Sequence, residues 1–149
     1  MFKSLLIATD GSELGDKAVL AGIELAKAHG ATLTILTATD PVTTGFGAGG
    51  FGSFDAAPII ARLEEDYASE AKELLAKARQ KAEAAGLSAD LIHVPRTRAA
   101  DAILATARER GADTIVMGSH GRRGIGRLLL GSQAAEVLAH SDRPVLVVK

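Results

Sequence analysis

The chain has 149 residues, 47% of them apolar and 23% charged, with a formal net charge of −1. That balance suits one ordinary globular domain, and it supplies no overall field to draw nucleic acid or an anionic membrane surface. Cysteine and tryptophan are absent and the aromatics number four Phe and one Tyr, which excludes disulfides, thiolate nucleophiles and cysteine metal sites and leaves no stacking platform for single-stranded bases.

Near the start, "SLLIAT" (4–9) is a short, nearly continuous apolar run ending in "DGS", the pattern of a strand buried on both faces. Its apolar core, Leu5 to Ala8, is too short for a signal-peptide core or a membrane span. Together with the missing cysteines this makes a cytoplasmic protein the expectation. Residues 13–29 carry Val19, Ile23 and Ala26 at helical spacing, and Gly30 is a natural stop. "TLTILTA" (32–38) is β-branched and reads as a second strand.

Residues 41–57 read as a Gly/Phe-rich flexible loop inside a single domain spanning 1–149. A lid in which Phe46, Phe51 and Phe54 close over a ligand or partner is the expectation. Pro58 to Ala85 then forms a long helical pattern, with Ile60, Leu63, Tyr67, Ala71, Leu74, Ala78 and Ala82 in one stripe. Packing on a sheet explains that stripe; a coiled coil is the alternative. Acids (Glu64, Glu65, Asp66) crowd the start and bases (Lys77, Arg79, Lys81) the end, in the sense the helix dipole favours. "DLIHVP" (90–95) is a third strand, Ala99 to Arg110 a helix, "DTIVMG" (113–118) a fourth strand, Ser132 to Ala139 a short helix, and "RPVLVVK" (143–149) a fifth strand.

Strands joined through helices run parallel, so the fold class expected is α/β, a doubly wound five-stranded sheet with helices on both faces. Ligands of such sheets bind beyond the carboxyl ends of the strands, at the switch point of strand order. "TDGS", "TDPVTTG" and "GSHGRRG" follow strands one, two and four and should converge there.

Two glycine-rich stretches compete for a phosphate. "GFGAGG" (45–50) matches G-x-G-x-x-G, but it neither closes a strand nor opens a helix, as a dinucleotide fingerprint requires. A P-loop G-x-x-x-x-G-K-[ST] is absent. "MGSHGRRGIGRLLLGS" (117–132) is better placed: Gly118 and Gly121 follow the fourth strand, and Gly131 and Ser132 open a helix. The first amides of that helix lack internal partners and carry partial positive charge, which favours an anion. Glycine at 131 would let a phosphate approach the backbone, Ser132 would add a donor, and Arg122, Arg123 and Arg127 raise the local potential. The alternative is a tight turn, a capped helix and solvated arginines.

Gly118-x-x-Gly121, nine residues, then Gly131-Ser132 resembles the pattern of the ATP-binding branch of the universal stress protein family. "LLIATDGSE", "DTIVMGSHGRRGIGRLLLGSQAAEVL" and "RPVLVVK" resemble it too, in order and spacing, so that the resemblance covers essentially the whole chain. It implies an adenine-nucleotide alpha-hydrolase-like sheet of order 3-2-1-4-5, a bound adenine nucleotide and a homodimer. Carried over by position, Ala8, Thr9 and Asp10 lie by base and ribose, with Asp10 accepting from a ribose hydroxyl. Ala38 offers backbone groups to the adenine edge, Met117 packs near the base and Gly118 near the ribose. Gly121, Gly131, Ser132, Gln133 and Ala134 surround the phosphates, and Arg122 stands where a basic residue is frequent. The chain departs from the family in Gln133, where many members carry Val, in lacking Gly-x-Pro after the third strand, and in its Gly/Phe-rich segment.

Asp10 or the phosphates are the expected hold for Mg, and His120 is the best candidate for positioning water, although a histidine in such a turn is more often structural. Neither a nucleophile elbow nor metal-ligand histidine spacing is present. The leading expectation is therefore an ATP-binding stress or signalling module, a nucleotide-dependent switch with a protein partner and no efficient catalysis. ADP, AMP or a cyclic nucleotide would also fit the phosphate loop. A slow Mg-dependent ATPase or phosphotransferase is the second reading. A structural dimer with an empty site is the third, and the need for glycine at both 121 and 131 speaks against it. The apolar edge run Pro144 to Lys149 is the expected dimer surface.

Overall fold

The computed structural model describes residues 1–42, 56–121 and 130–149. Strand β1 (Ser4–Ala8) lies at the centre of the sheet, flanked in parallel by β2 (Thr32–Ala38) and β4 (Thr114–Gly118). Strand β3 (Asp90–Val94) pairs with β2 and β5 (Val145–Val148) with β4, so that the order is β3-β2-β1-β4-β5, all parallel. Five parallel strands are what the alternation of elements predicts, and their order is the one the family resemblance implies.

Alternate residues of β1 serve opposite faces, as the two-residue period of a strand requires. Leu5 and Ile7 pack with helices α1 (Glu13–His29) and α2 (Ala57–Ala84), while Leu6 and Ala8 pack with α3 (Ala99–Glu109) and α4 (Ser132–His140). All four are buried, and each large one contributes roughly 1.5–3 kcal/mol by leaving water. On the first face α1 approaches closely. A Cβ on Gly22 would stand 2.3 Å from the Ile7 Cδ1, so only glycine lets helix and strand meet there.

Element boundaries fall within a residue or so of those expected, but α2 differs in substance. Ala71, Leu75, Ala78 and Ala82 are its buried residues, whereas Ile59 and Leu63 are exposed and Tyr67 is 38% exposed. Twenty-eight residues make a helix about 42 Å long at 1.5 Å per residue. The longest strand, with seven residues, spans about 23 Å. The sheet covers the C-terminal half of the stripe and the rest projects past the strand ends. Glu64, Glu65 and Asp66 lie beyond the first turn, which holds no acid, so the expected pairing of acids with the dipole at this end does not form.

The Gly/Phe-rich 43–55 stretch with Phe46, Phe51 and Phe54, and the arginines at 122, 123 and 127, lie outside the described residues.

Candidate functional site

The chain reverses its direction of travel across the sheet between β1 and β4, and a cleft of about 560 Å³ opens beyond the carboxyl ends of the strands at that point. Clefts of this size suit small-molecule ligands, and this is where an open parallel sheet holds them. Ala8, Thr9 and Asp10 from the end of β1, Ala38 from β2, and Met117, Gly118, His120 and Gly121 from β4 all line it. So do Gly131, Ser132, Gln133 and Ala134 at the start of α4. Of the nucleotide-site residues carried over by the resemblance, Arg122 alone falls outside the described residues. The three loop segments converge, with Thr39 and Asp40 supplying the one after β2.

Sequence reading missed the contribution of α2. Tyr67, Glu70 and Leu74 form a side wall of the cleft. The signal was available: an apolar stripe with a tyrosine, longer than any strand could cover.

Local hydrogen bonds hold the floor in place. Asp10 Oδ1 accepts from the Ser12 amide at 3.0 Å, the Ser12 Oγ caps α1 by accepting from the Gly15 amide at 3.1 Å, and Thr9 Oγ1 accepts from the Gly11 amide at 3.3 Å. The Gly131 amide donates to the Ser119 carbonyl at 2.7 Å, stitching the start of α4 to the end of β4. Ser119 Oγ and His120 Nδ1 share a hydrogen bond of 3.1 Å, so the serine next to it positions the imidazole.

The glycines need a different account from the one expected. Cβ atoms at Gly118 and Gly131 would press on backbone, that of Leu14 at 3.1 Å and the His120 Cα at 2.9 Å respectively. At Gly121 a Cβ would stand 2.6 Å from the Asp10 Oδ2. Close packing of protein segments alone therefore favours glycine at 131 and 118, where backbone stands opposite, while at 121 only a rotatable carboxylate is met; none of the three adopts a left-handed φ. Glycine at 121 and 131 does not by itself argue for a phosphate or against a structural role.

Helix N-termini discriminate better. Three helices begin at the cleft, and two of them are capped by side chains. Ser12 caps α1, and Gln133 Oε1 accepts from the Ala100 amide of α3 at 2.8 Å. Gln133 thus turns its side chain to a neighbouring helix. The start of α4 is different, because its N-cap is Gly131, which has no side chain to accept from the first amides. The partial positive charge of that helix end faces the cleft unmodified. Arg98 at the N-cap of α3 makes a two-armed pair with Glu136 of α4, Nη1 to Oε1 at 3.2 Å and Nη2 to Oε2. The hydrogen bond and charge of Glu136 raise the Arg98 pKa further above its ordinary value.

Elsewhere the lining is acidic. Asp10, Asp40 and Glu70 face the space, and among the described residues no lysine or arginine lines it. At the β2 rim, Thr39 Oγ1 and His93 Nε2 share a hydrogen bond of 2.9 Å, and burial lowers the His93 pKa below that of an ordinary imidazole. No cluster of three or more His, Cys, Asp or Glu side chains able to hold a metal occurs among the described residues.

The sequence profile described as "Universal stress protein family" matches residues 1–149. The chain belongs to the universal stress protein family. Its similarity to a universal stress protein of Bacillus subtilis is 33% identity over 150 residues, covering the whole of both chains. In three dimensions it is similar to the universal stress protein UspA of Lactobacillus plantarum, with a TM-score of 0.85 and 21% identity over 99% of this chain and 98% of that one. A family member solved in complex with cAMP aligns with a TM-score of 0.72 and 28% identity, over 99% and 97% of the two chains. Among the described residues, no helix is long and apolar enough to cross a membrane.

Proposed function

We propose that this universal stress protein binds an adenine nucleotide in the cleft and serves as a nucleotide-dependent switch in a stress response. The observation that carries the reading is the α4 N-terminus: of three helices beginning at the cleft, it alone starts without a capping side chain, and the Ser132, Gln133 and Ala134 amides are the natural seat for phosphates. Asp10, just past the end of β1 and so one strand position from β4, supplies an acceptor suited to a ribose hydroxyl. The family member with bound cAMP supports an adenine nucleotide as the ligand class.

ATP with Mg is the form proposed. The cleft presents Asp10, Asp40 and Glu70 and, among its described residues, no cation, so a polyphosphate enters at lower electrostatic cost with its charge reduced. No group of three metal-ligand side chains occurs among the described residues, so the metal is proposed to be held chiefly through phosphate oxygens, with a carboxylate such as Asp10 beside it. A switch then requires that its protein partner bind the loaded and empty forms with different affinity.

Calorimetric titration of the nucleotide-stripped protein with ATP and Mg, and in parallel with AMP, tests the reading. Tight ATP binding that weakens for AMP supports phosphates seated at α4. No heat at millimolar ATP from folded protein removes the reading. Slow hydrolysis is the second reading, favoured by His120 lining the cleft with Nδ1 engaged by Ser119. Mg-dependent ADP release that disappears in His120→Ala and Asp10→Ala would establish it.

A further inference from the structure

The cleft is elongated across the strand order. Its α4 end lies over β4, because the Gly131 amide is bonded to the Ser119 carbonyl just past that strand. Its other end lies over β2, bounded by Ala38 and Thr39 and walled by α2, which packs on β2 and β3. Two strand spacings separate these ends, about 10 Å, close to the reach from the phosphates of a nucleotide to its base. With phosphates over β4, the base lies over β2. The wall it meets there carries Tyr67, the one Phe, Tyr or Trp ring among the described residues that line the cleft.

Tyr67 is 38% exposed although it belongs to an apolar stripe. It stands on the N-terminal part of α2, which projects past the strand ends. Ala71 and Leu74, one and two turns on, close the wall down to the core. A rigid ring held on a long helix at the mouth of a cleft offers a flat, apolar surface with few rotamers to lose on binding, the kind of surface on which a heterocycle packs in offset-stacked or edge-on fashion.

We infer that Tyr67 is the base-contacting residue of this cleft, its ring packing against the purine of a bound nucleotide. The inference rests on the nucleotide reading above and on the phosphates seating at α4. It assigns to α2 a part in ligand binding, beyond its packing on the sheet. Because the contact is made with a π-face, it favours purines over smaller bases and is indifferent to the number of phosphates.

The protein carries its own reporter. Tyr67 is the only tyrosine and there is no tryptophan, so the intrinsic emission comes from this ring. Stripped full-length protein is titrated with AMP, and separately with inorganic pyrophosphate, following tyrosine emission and heat together. Nucleotide absorbance is corrected against free N-acetyltyrosinamide. AMP is expected to quench emission saturably with the midpoint found by calorimetry, and pyrophosphate to leave it unchanged. Tyr67→Ala should weaken AMP roughly tenfold and Tyr67→Phe should restore it, since the ring and not the hydroxyl makes the contact. Tyr67→Phe should keep the thermal midpoint, and Tyr67→Ala, which truncates a partly covered side chain, should lower it modestly while leaving the protein folded. Heat of AMP binding with unchanged emission, quenching by pyrophosphate alone, or wild-type AMP affinity in Tyr67→Ala would overturn the assignment while leaving the nucleotide reading in place. No heat with any nucleotide would remove both.

Discussion

Gly121 and Gly131 look alike in the sequence and differ in what stands opposite them. Among the described residues, a Cβ at 121 would meet only a carboxylate oxygen and carbon of Asp10, the far end of a side chain that can rotate. A Cβ at 131 would meet the His120 Cα and the Ser119 carbonyl, which move only with the backbone. Gly121→Ala is therefore expected to displace the Asp10 carboxylate, weakening nucleotide binding with little change in melting temperature. Gly131→Ala is expected to cost about 1–3 kcal/mol of stability, as overpacking does. Urea midpoints and nucleotide titrations of the two variants side by side check this. Equal loss of stability in both would mean that the Asp10 side chain is as unyielding as backbone.

Among the elements, α3 and α4 are joined at their N-terminal ends by Gln133 and by the Arg98–Glu136 pair. Gln133 accepts from Ala100, replacing the side-chain cap that Arg98 does not provide. Gln133→Val should leave that amide without its acceptor and cost about 0.5–2 kcal/mol, the usual range for a lost cap. Nucleotide affinity should stay the same, because the proposed phosphate contacts of α4 are made by main-chain amides. Chemical denaturation and calorimetry of the variant separate the two effects. A large fall in affinity with unchanged stability would place the Gln133 side chain on the ligand instead.

For the whole molecule, the open question is what meets the free edge of β5. The Pro144 carbonyl accepts from Ile115 and the Val148 carbonyl from Ser119. Backbone groups at even positions thus face β4, and those of Val145 and Val147 face the open edge. Leu146 is 40% exposed. Such an edge invites pairing with another strand, and a homodimer joining two copies of Pro144 to Lys149 about a twofold axis is our proposal. Val147→Pro removes an outward N–H and leaves the ladder to β4 intact, so it should give a folded monomer by light scattering. A dimer of unchanged size would place the interface elsewhere.

Order and kind of element were legible in the chain itself, because buried parallel strands such as "LLIA" and glycine-stopped helices such as residues 13–29 announce themselves within a few residues. The loop ends that converge were legible as well, since connectivity alone sends 8–10, 38–40 and 117–121 to one side of the sheet. What the glycines of that cleft are for was decided only in three dimensions. The atoms that crowd them come from residues as distant as Leu14 and Gly118, or Asp10 and Gly121. The same holds for Tyr67: a stripe on a helix states which face is apolar, but how much of that face is covered depends on the length of the strands it lies against, and that is a property of the sheet.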